Sequence, residues 1–338
     1  MQLYTLKNRR GITLKVSSYG TIITELHVPD RAGQLADIVL GYDSIEQYKK
    51  ATPYFGATVG RVANRIKNAE FTLEGTRYQL ADNDRPHCLH GGIRGWDKVE
   101  WNAELTETPS GPEIRFTYSS PDGEEGFPGN VDATVVYRLT HDDELIVQME
   151  ATTDRTTPVN MVHHTYWNLG GHASGSIADH LLTLSADQYT PCAPVEGGEP
   201  VPDGTVAAVA GTPFDFRAPK AMGKDLAAAG GLPAGFDHNW VVRGEPRRLR
   251  PAARVEHPGS GRILTVEADQ PGIQFYSGKF LDGSLRGKGG HAYQQYGGFC
   301  LETQSFPNAI NVPAWKDQVI LKPGQRYQHT MVHRFTAE

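Results

Sequence analysis

Five short stretches of the chain concentrate side chains that can move protons or hold hydroxyl groups. They are Gly60-Arg61-Val62-Ala63-Asn64-Arg65-Ile66, Leu89-His90-Gly91-Gly92, Asn160-Met161-Val162-His163-His164-Thr165-Tyr166-Trp167-Asn168-Leu169, Gly235-Phe236-Asp237-His238-Asn239, and Glu302-Thr303-Gln304 followed by Asn308 and Asn311. Imidazoles and carboxylates are the side chains best suited to general acid and base work near neutrality, which singles out His90, His164, Asp237 and Glu302. Asn64, Arg65, Gln274 and the amides of the fifth stretch offer paired hydrogen bonds to vicinal hydroxyls. Tyr166 and Trp167 beside His164 offer apolar faces for the C–H side of a sugar ring. That mixture suits a neutral polyol. A phosphorylated ligand would want more guanidinium and ammonium groups than Arg61 and Arg65 provide.

The elements that must carry these residues read as strands. Val131, Ala133, Val135, Tyr137 and Leu139 alternate with polar or small residues. His141-Asp142-Asp143-Glu144 then turns the chain, and Leu145, Val147 and Met149 alternate again, which predicts a hairpin with one buried face. Residues 71–73 and 77–80 predict a tight hairpin around Glu74-Gly75. Similar pairs are expected at 99–105 with 113–118, and at 262–268 with 273–277 through Gln270-Pro271-Gly272. Strands are also expected at Thr13–Ser17, Ile22–Val28 and Ile38–Leu40. Helical signals are few: a short helix capped by Asp43-Ser44 through Tyr48, and a turn or two in 220–229. No crossover-helix pattern repeats, so the expected fold is all-β, a large antiparallel sandwich with a few short helices. Alternation continues on both sides of the Gly/Pro-rich stretch 191–213, so residues 1–338 read as one domain.

Composition agrees. The chain of 338 residues holds 37 glycines and 22 prolines, above average usage, and these residues punctuate many short elements. Its formal net charge of −6 argues against a nucleic-acid or anionic-membrane surface as partner. No stretch has the apolar length of a membrane span, and the N-terminus shows no signal-peptide pattern. Cys88, Cys192 and Cys300 form no CxxC pair and are odd in number, which suits a reducing compartment, so the cytoplasm is expected. Nucleotide-loop, zinc-protease and serine-hydrolase motifs are absent from the sequence.

Seven segments in order carry a resemblance: Gly60–Ile66, Leu89–Gly92, Ser120-Pro121-Asp122-Gly123-Glu124-Glu125-Gly126, His164-Thr165-Tyr166-Trp167-Asn168-Leu169, Gly235–Asn239, Gln270-Pro271-Gly272-Ile273-Gln274-Phe275-Tyr276 and Leu301-Glu302-Thr303-Gln304. Together they resemble the aldose 1-epimerase (galactose mutarotase) family over essentially the whole chain. The resemblance implies a β-sandwich with the sugar site on a concave sheet face. It implies interconversion of the α and β anomers of free aldohexoses such as galactose and glucose, without a cofactor or metal. It casts Glu302 as the general base on the C1 hydroxyl and His164 as the general acid on the ring oxygen. His90, Asn64, Arg65, Asp237 and Gln274 would hold hydroxyls, with Thr165 and Tyr166 beside them. The expected partner is a small-molecule aldose, and the expected state is monomer or homodimer. His163 stands where the family commonly has Asn, Trp167 where it commonly has Phe, and Asn308 where an Asp often follows; these changes bear on substrate preference more than on reaction type.

Plainer readings stand beside these. His163 and His164 are adjacent on a strand and point to opposite faces, a poor chelate; His87 with His90 is the other metal pairing to consider. The acidic loop 122–126 reads as a turned hairpin loop rather than a calcium site. The basic run Arg243–Arg250 reads as an exposed loop, Trp96, Trp101, Trp240 and Trp315 as core or carbohydrate-stacking, and Cys88 as a small buried hydrophobe. Competing functions are a non-catalytic sugar-binding protein on the same sandwich, a hexose-phosphate epimerase, and a glycoside hydrolase using Asp237 and Glu302 as its carboxylates.

Overall fold

The computed structural model describes residues 1–50 and 53–338. Its largest sheet is antiparallel, with nine strands in the order Asn102–Thr108, Gly111–Ser120, Val131–Leu139, Glu144–Thr153, Tyr327–Ala337, Arg262–Ala268, Arg250–Glu256, Leu181–Leu184 and Lys220–Ala221. The period-two pattern makes this sheet one-sided. Val131, Ala133, Val135 and Tyr137 are buried while Asp132 is exposed. Their register pairs Val135 with Met149 and Tyr137 with Val147, and the strand Tyr327–Ala337 then lays Met331 against Val147.

A second sheet orders Ala207–Ala208, Gln188–Thr190, Asp237–Val241, Gly272–Tyr276 and Cys300–Gln304. Ile273, Phe275, Leu301 and Trp240 on one of its faces share a continuous core with Tyr137, Val147, Met149 and Met331 of the large sheet. This is the sandwich expected from alternation. In contrast to the large sheet, Gly272–Tyr276 and Cys300–Gln304 are buried at every residue. One face of these strands lies on the core, so the polar residues of the other face, Gln274 and Glu302 among them, are enclosed by other parts of the chain. Beside this sheet, Val162–His164 pairs with Ala57–Val59, and Trp167 exchanges backbone hydrogen bonds with Phe299 at 2.7 and 3.0 Å.

The hairpins at 131–149 and 71–80 form as expected, as do the strands Thr13–Ser17 and Ile23–Pro29. Ser44 starts the helix Ile45–Lys50, its N–H and Oγ both donating to Gln47 Oε1 at 3.1 and 3.0 Å.

Four expectations are corrected. The strands at 262–268 and 272–276 do not pair with each other: the first joins the nine-stranded sheet and the second the five-stranded one, so Gln270-Pro271-Gly272 crosses between layers. Residues 38–40 make only a bridge at Val39 to Trp167, and the strand lies earlier, at Leu35–Asp37. The segment 220–229 forms no helix; Lys220–Ala221 adds an edge pair to Leu181–Leu184 and turns follow, consistent with the apolar side chains Met222 and Ala229 being drawn into the core. The pairing of 99–105 with 113–118 holds only from Asn102, because the backbones of Val99 and Trp101 bond Gly20 and Ser18 of the N-terminal region instead.

Candidate active site

A cavity of about 300 Å³ opens on the face of the five-stranded sheet that is turned from the core, lined by Asn64, Arg65, His90, His164, Tyr166, Asp237, Tyr276 and Glu302, with Pro53, Tyr54, Leu89, Phe280, Leu281, Asp282, Ser284 and Leu285 around them. Three neighbouring elements supply its reactive groups. Cys300–Gln304 brings Glu302, Asp237–Val241 brings Asp237, and the run from Val162 brings His164 and Tyr166. Extended backbone alternates its side chains, so His164 and Tyr166 face the cavity while His163 and Thr165 face inward. There His163 Nδ1 meets Tyr137 Oη at 3.3 Å and its Nε2 meets Thr165 Oγ1 at 2.5 Å.

The central pair is His164 and Glu302, with Nε2 and Oε1 3.6 Å apart and both side chains buried. Glu302 Oε2 is buried with no hydrogen-bond partner, which is rare for a carboxylate oxygen and costly unless a ligand completes it. The ring of His90 meets His164 edge-on at 5.0 Å, and Tyr54 packs on His90 at 4.6 Å. The backbone N–H of Asn64 donates to His90 Nδ1 at 3.2 Å, so neutral His90 carries its proton on Nε2 as a donor.

Arg65 is clamped from two sides. Its Nε donates to Asp84 Oδ2 at 2.6 Å, and its Nη1 lies 3.7 Å from Asp237 Oδ2. Gln274 donates from Nε2 to Asp237 Oδ1 at 2.8 Å and accepts from Gln304 at 3.1 Å. Gln274 therefore orients Asp237 from beneath and is not part of the cavity wall.

The turn that presents His90 is built by close approach. Asn64 and His90 both adopt positive φ, 59° and 51°, a conformation held only where the surroundings enforce it. Gly91 has φ +87°, and a Cβ there would sit 2.0 Å from the carbonyl oxygen of Gly60. Glu125 accepts from the backbone N–H groups of Ile93 and Arg94 at 2.8 and 2.9 Å. Glu124 accepts from Tyr118, Ser120 and Trp96. The acidic loop thus braces the glycine turn behind His90. Arg61 is spent on the same brace, donating to the carbonyls of Pro128 and Gly129 at 2.8 and 3.0 Å.

Burial dominates the electrostatics. It pushes the Glu302 carboxyl well above the usual carboxylate range; the negative charge of Asp237 adds to this and Arg65 opposes it. Burial lowers His164 to about 4, against an upward pull from Asp237. Asp237 does favour the imidazolium, but desolvation is the larger effect. His90 is also held well below its ordinary value by burial, with His164 and Arg65 adding to the shift. Burial thus raises Glu302 and lowers His164, and so favours the two groups both neutral over the ion pair in the unliganded site.

Several sequence-based assignments change. Thr165 is not in the cavity, because it lies one residue out of phase with His164. Trp167 packs between the sheets, 5.4 Å from His333 and 6.0 Å from Phe335. Asn308 and Asn311 hold backbone rather than hydroxyls: Asn308 Oδ1 accepts from Lys67 N–H at 3.0 Å, and Asn311 donates to the carbonyl of Glu70 at 2.9 Å. His87 does not join His90; its Nδ1 accepts from Asn68 N–H and its Nε2 meets the carbonyl oxygen of Glu199. Cys88, Trp96, Trp101, Trp240 and Trp315 are all buried. The sequence reading missed Asp84, Tyr54 and the rim residues Phe280, Asp282 and Ser284. Asp84 carries no signal of its own, since its meaning comes from Arg65, 19 residues away. Among the described residues the grouping of His90, His164 and Glu302, whose donor atoms lie within 4.8 Å of one another, is the one of three such groups in which every member is buried.

Comparison with known proteins bears on this geometry. The sequence model of a family described as aldose 1-epimerase matches residues 2–334. Galactose mutarotase of Bos taurus is 46% identical over 325 residues, covering 96% of this chain and 91% of the relative. Aldose 1-epimerase of Escherichia coli K12 is 34% identical over 340 residues, covering 100% of this chain and 96% of the relative. Among solved structures, an aldose epimerase homologue from C. elegans superposes with a TM-score of 0.88 at 30% identity, covering 99% of both chains. A galactose 1-epimerase from Lactobacillus acidophilus gives a TM-score of 0.85 at 30% identity, covering 98% of this chain and 93% of the other.

Proposed function

This chain belongs to the aldose 1-epimerase family, and from that premise we propose that it interconverts the α and β anomers of free aldohexoses, galactose and glucose first among them. The observation that carries the reading is the buried pair His164 and Glu302, 3.6 Å apart and facing a sugar-sized cavity. Glu302 takes the proton of the C1 hydroxyl while His164 delivers one to the ring oxygen. The C1–O5 bond opens to the aldehyde, rotation about C1–C2 exposes the other carbonyl face, and the reverse transfers close the other anomer. Only protons move, and each positioned transfer is typically worth about 10²–10⁴-fold, so the chemistry asks for no cofactor. His90 offers its Nε2–H to an oxygen of the sugar. Asp237, Arg65 and Asn64 hold further hydroxyls and fix the ring against the pair.

The protonation of the unliganded site bears on this assignment. The form that starts the reaction, Glu302 carboxylate with His164 imidazolium, holds the same single proton as the resting form with both groups neutral. The two are tautomers of one pair and share macroscopic pKa values. The resting form favours a second reading, in which Glu302 is the acid on the ring oxygen and neutral His164 the base on the C1 hydroxyl. Both give the same pH–rate profile. The sugar's placement separates them: with galactose bound, O1 lies nearest Glu302 in the first reading and nearest His164 in the second.

A sugar-binding protein without turnover is disfavoured by the intact pair, and a hexose-phosphate enzyme by the commitment of both arginines, Arg65 to Asp84 and Asp237 and Arg61 to the acidic loop. We further propose that residues 1–338 work as one unit in the cytoplasm, as monomer or homodimer, with no nucleic-acid or membrane partner. The net charge of −6 supports this, and no helix among the described residues is long and apolar enough to cross a membrane. The test is polarimetry on freshly dissolved α-D-galactose and α-D-glucose. The reading expects acceleration that persists in EDTA and is lost in Glu302→Gln; no acceleration with either sugar would refute it.

A further inference from the structure

His90 and His164 come from distant parts of the chain, yet one side chain covers both. The ring of Tyr54 lies 4.6 Å from His90 and 5.7 Å from His164, and it also lines the cavity. Tyr166 meets His164 as well, at 5.3 Å, and packs on Phe55 and Tyr276 behind it. Of the two tyrosines, Tyr54 is the one that also reaches His90.

Tyr54 is held from both sides of the site. Its φ is +62°, a conformation that a bulky residue keeps only where its surroundings enforce it. Ala57 N–H donates to the Tyr54 carbonyl at 3.1 Å, and Gly56 N–H donates to the carbonyl of His164 at 3.0 Å. The turn that carries Tyr54 is thereby tied to the backbone of His164. From the other side, Lys98 Nζ stands 4.9 Å over the Tyr54 ring, where the electron-rich face attracts an ammonium. Asp97 Oδ2 fixes that ammonium at 2.6 Å. Lys98 belongs to the stretch packed against the His90 turn: Trp96 N–H donates to the Gly60 carbonyl at 3.0 Å, and a Cβ at Gly95 would sit 2.6 Å from the carbonyl oxygen of His90. One anchor of Tyr54 is thus built on His164 and the other beside His90.

We propose that Tyr54, pinned by the Lys98 ammonium, is a positioning residue of the anomer reaction: its ring caps His90 and His164, fixes them against one another and keeps bulk water off their faces. The inference rests on the functional reading above for its effect on rate. Tyr54 gives up no proton itself, since burial raises its phenol above the ordinary value, with Asp97, Asp84 and Cys88 adding and Arg65 opposing.

The consequence is electrostatic. Desolvation is the largest cause of the low proton affinity of both imidazoles, and it lasts only while water is kept out. The other groups facing His164 are Glu302 at 3.6 Å, Cys300 with Sγ 3.7 Å from Nδ1, the Tyr166 ring, and the charge of Asp237. Those acting on His90 are His164, Arg65 and Lys98. Without the cap, water solvates an imidazolium at His164 and Asp237 supports it, so the pair takes up a second proton at higher pH. A pair with two protons has no base left.

The experiment is the pH profile of kcat/KM for galactose in wild type, Tyr54→Leu, Tyr54→Phe and Lys98→Gln, paired with NMR titration of the His164 ring carbons, which needs no turnover. In Tyr54→Leu the acid limb should move from near 4 to about 6, so that the rate at pH 5 falls about tenfold below its own value at neutral pH. Tyr54→Phe keeps the ring and should keep the limb in its wild-type place. Lys98→Gln frees the ring while still bonding Asp97, and should move the limb the same way by a smaller step; it is read at His164, because Lys98 acts on His90 directly through its charge. A loss in Tyr54→Leu that is equal at every pH, with the His164 titration unmoved, would overturn the inference, as would a shifted limb in Tyr54→Phe. Should Tyr54→Leu not fold, an unmoved limb in Lys98→Gln would overturn it equally. A His164 titration that shifts in Tyr54→Leu, in a protein whose wild type shows no mutarotation, would retain the cap and refute the catalytic reading instead.

Discussion

Two sets of buried histidines lie back to back near the catalytic strands, and they differ in one respect. Toward the core, His163 is bonded to Tyr137 and Thr165, and His329 lies between Thr303 Oγ1 at 2.8 Å and the carbonyl of Met161 at 3.1 Å. His333, whose Nδ1 has no partner, is packed on the Trp167 ring rather than facing a cavity. Toward the cavity, His90 and His164 keep nitrogens turned to open space beside a carboxylate oxygen with no partner. Burial depresses the basicity of His163, His164 and His333 alike. A perturbed pKa therefore does not distinguish the site from the core. Unsatisfied hydrogen-bonding capacity facing a cavity does.

The largest effect that tests this contrast is on rate. Glu302→Gln and His164→Asn should each lower kcat by about 10²–10⁴-fold, the usual worth of one positioned proton transfer, with melting temperatures close to wild type. His163→Asn should do the reverse. It should keep most of the rate while costing about 1–3 kcal/mol of stability, because the Tyr137 and Thr165 hydroxyls lose their fitted partner. Comparable rate losses in both histidine variants would erase the distinction.

Acid should act next. Burial lowers His164, His238 and His333 to about 4 in the folded chain, against about 6.5 unfolded. Folded pKa values below the unfolded ones mean that unfolding takes up protons. The associated stability is present above pH 6.5 and is lost as pH falls toward 4, by about 3 kcal/mol per group. Thermal melts should show the midpoint dropping steeply over that window. The rate behaves differently: the pair holds its single working proton from about pH 4 up to the raised value of Glu302. In folded protein, kcat/KM should show its acid limb near pH 4, with the other limb displaced above the usual carboxylate range. An acid limb centred near 6.5 would contradict the burial account of His164.

Smaller effects probe the supports. Gly91→Ala forces a Cβ to within 2.0 Å of the Gly60 carbonyl at a φ of +87°. It should cost at least about 1–3 kcal/mol and, by displacing His90, raise KM more than it lowers kcat. Asp84→Asn removes a charged hydrogen bond worth about 1.5–3 kcal/mol in general. With Arg65 still held near Asp237, KM should rise roughly tenfold while kcat changes little, as steady-state kinetics will show. If kcat falls instead, Arg65 acts in the chemical step.

Much of this was legible before any coordinates. The alternation at Val131–Met149 predicts the hairpin because burial on one face leaves the register no freedom. The polar stretches around Asn64, His90, His164, Asp237 and Glu302 do converge on one cavity. What the sequence hides is set by distance and phase. Thr165 falls inside a motif yet faces the core. Gln274 reaches Asp237 rather than the cavity wall. Asp84 gains its role only when the chain folds it onto Arg65, and Gln270-Pro271-Gly272 looks like a hairpin turn although its flanking strands enter different sheets. Local pattern determines that a strand forms; the partner it chooses is decided by packing elsewhere.

The most direct measurement is the exchange rate between anomeric galactose protons at equilibrium, by magnetisation-exchange NMR, with wild type, His163→Asn and His164→Asn in parallel. The account predicts fast exchange for the wild type and His163→Asn, and exchange near the uncatalysed rate for His164→Asn. Fast exchange in folded His164→Asn would contradict it.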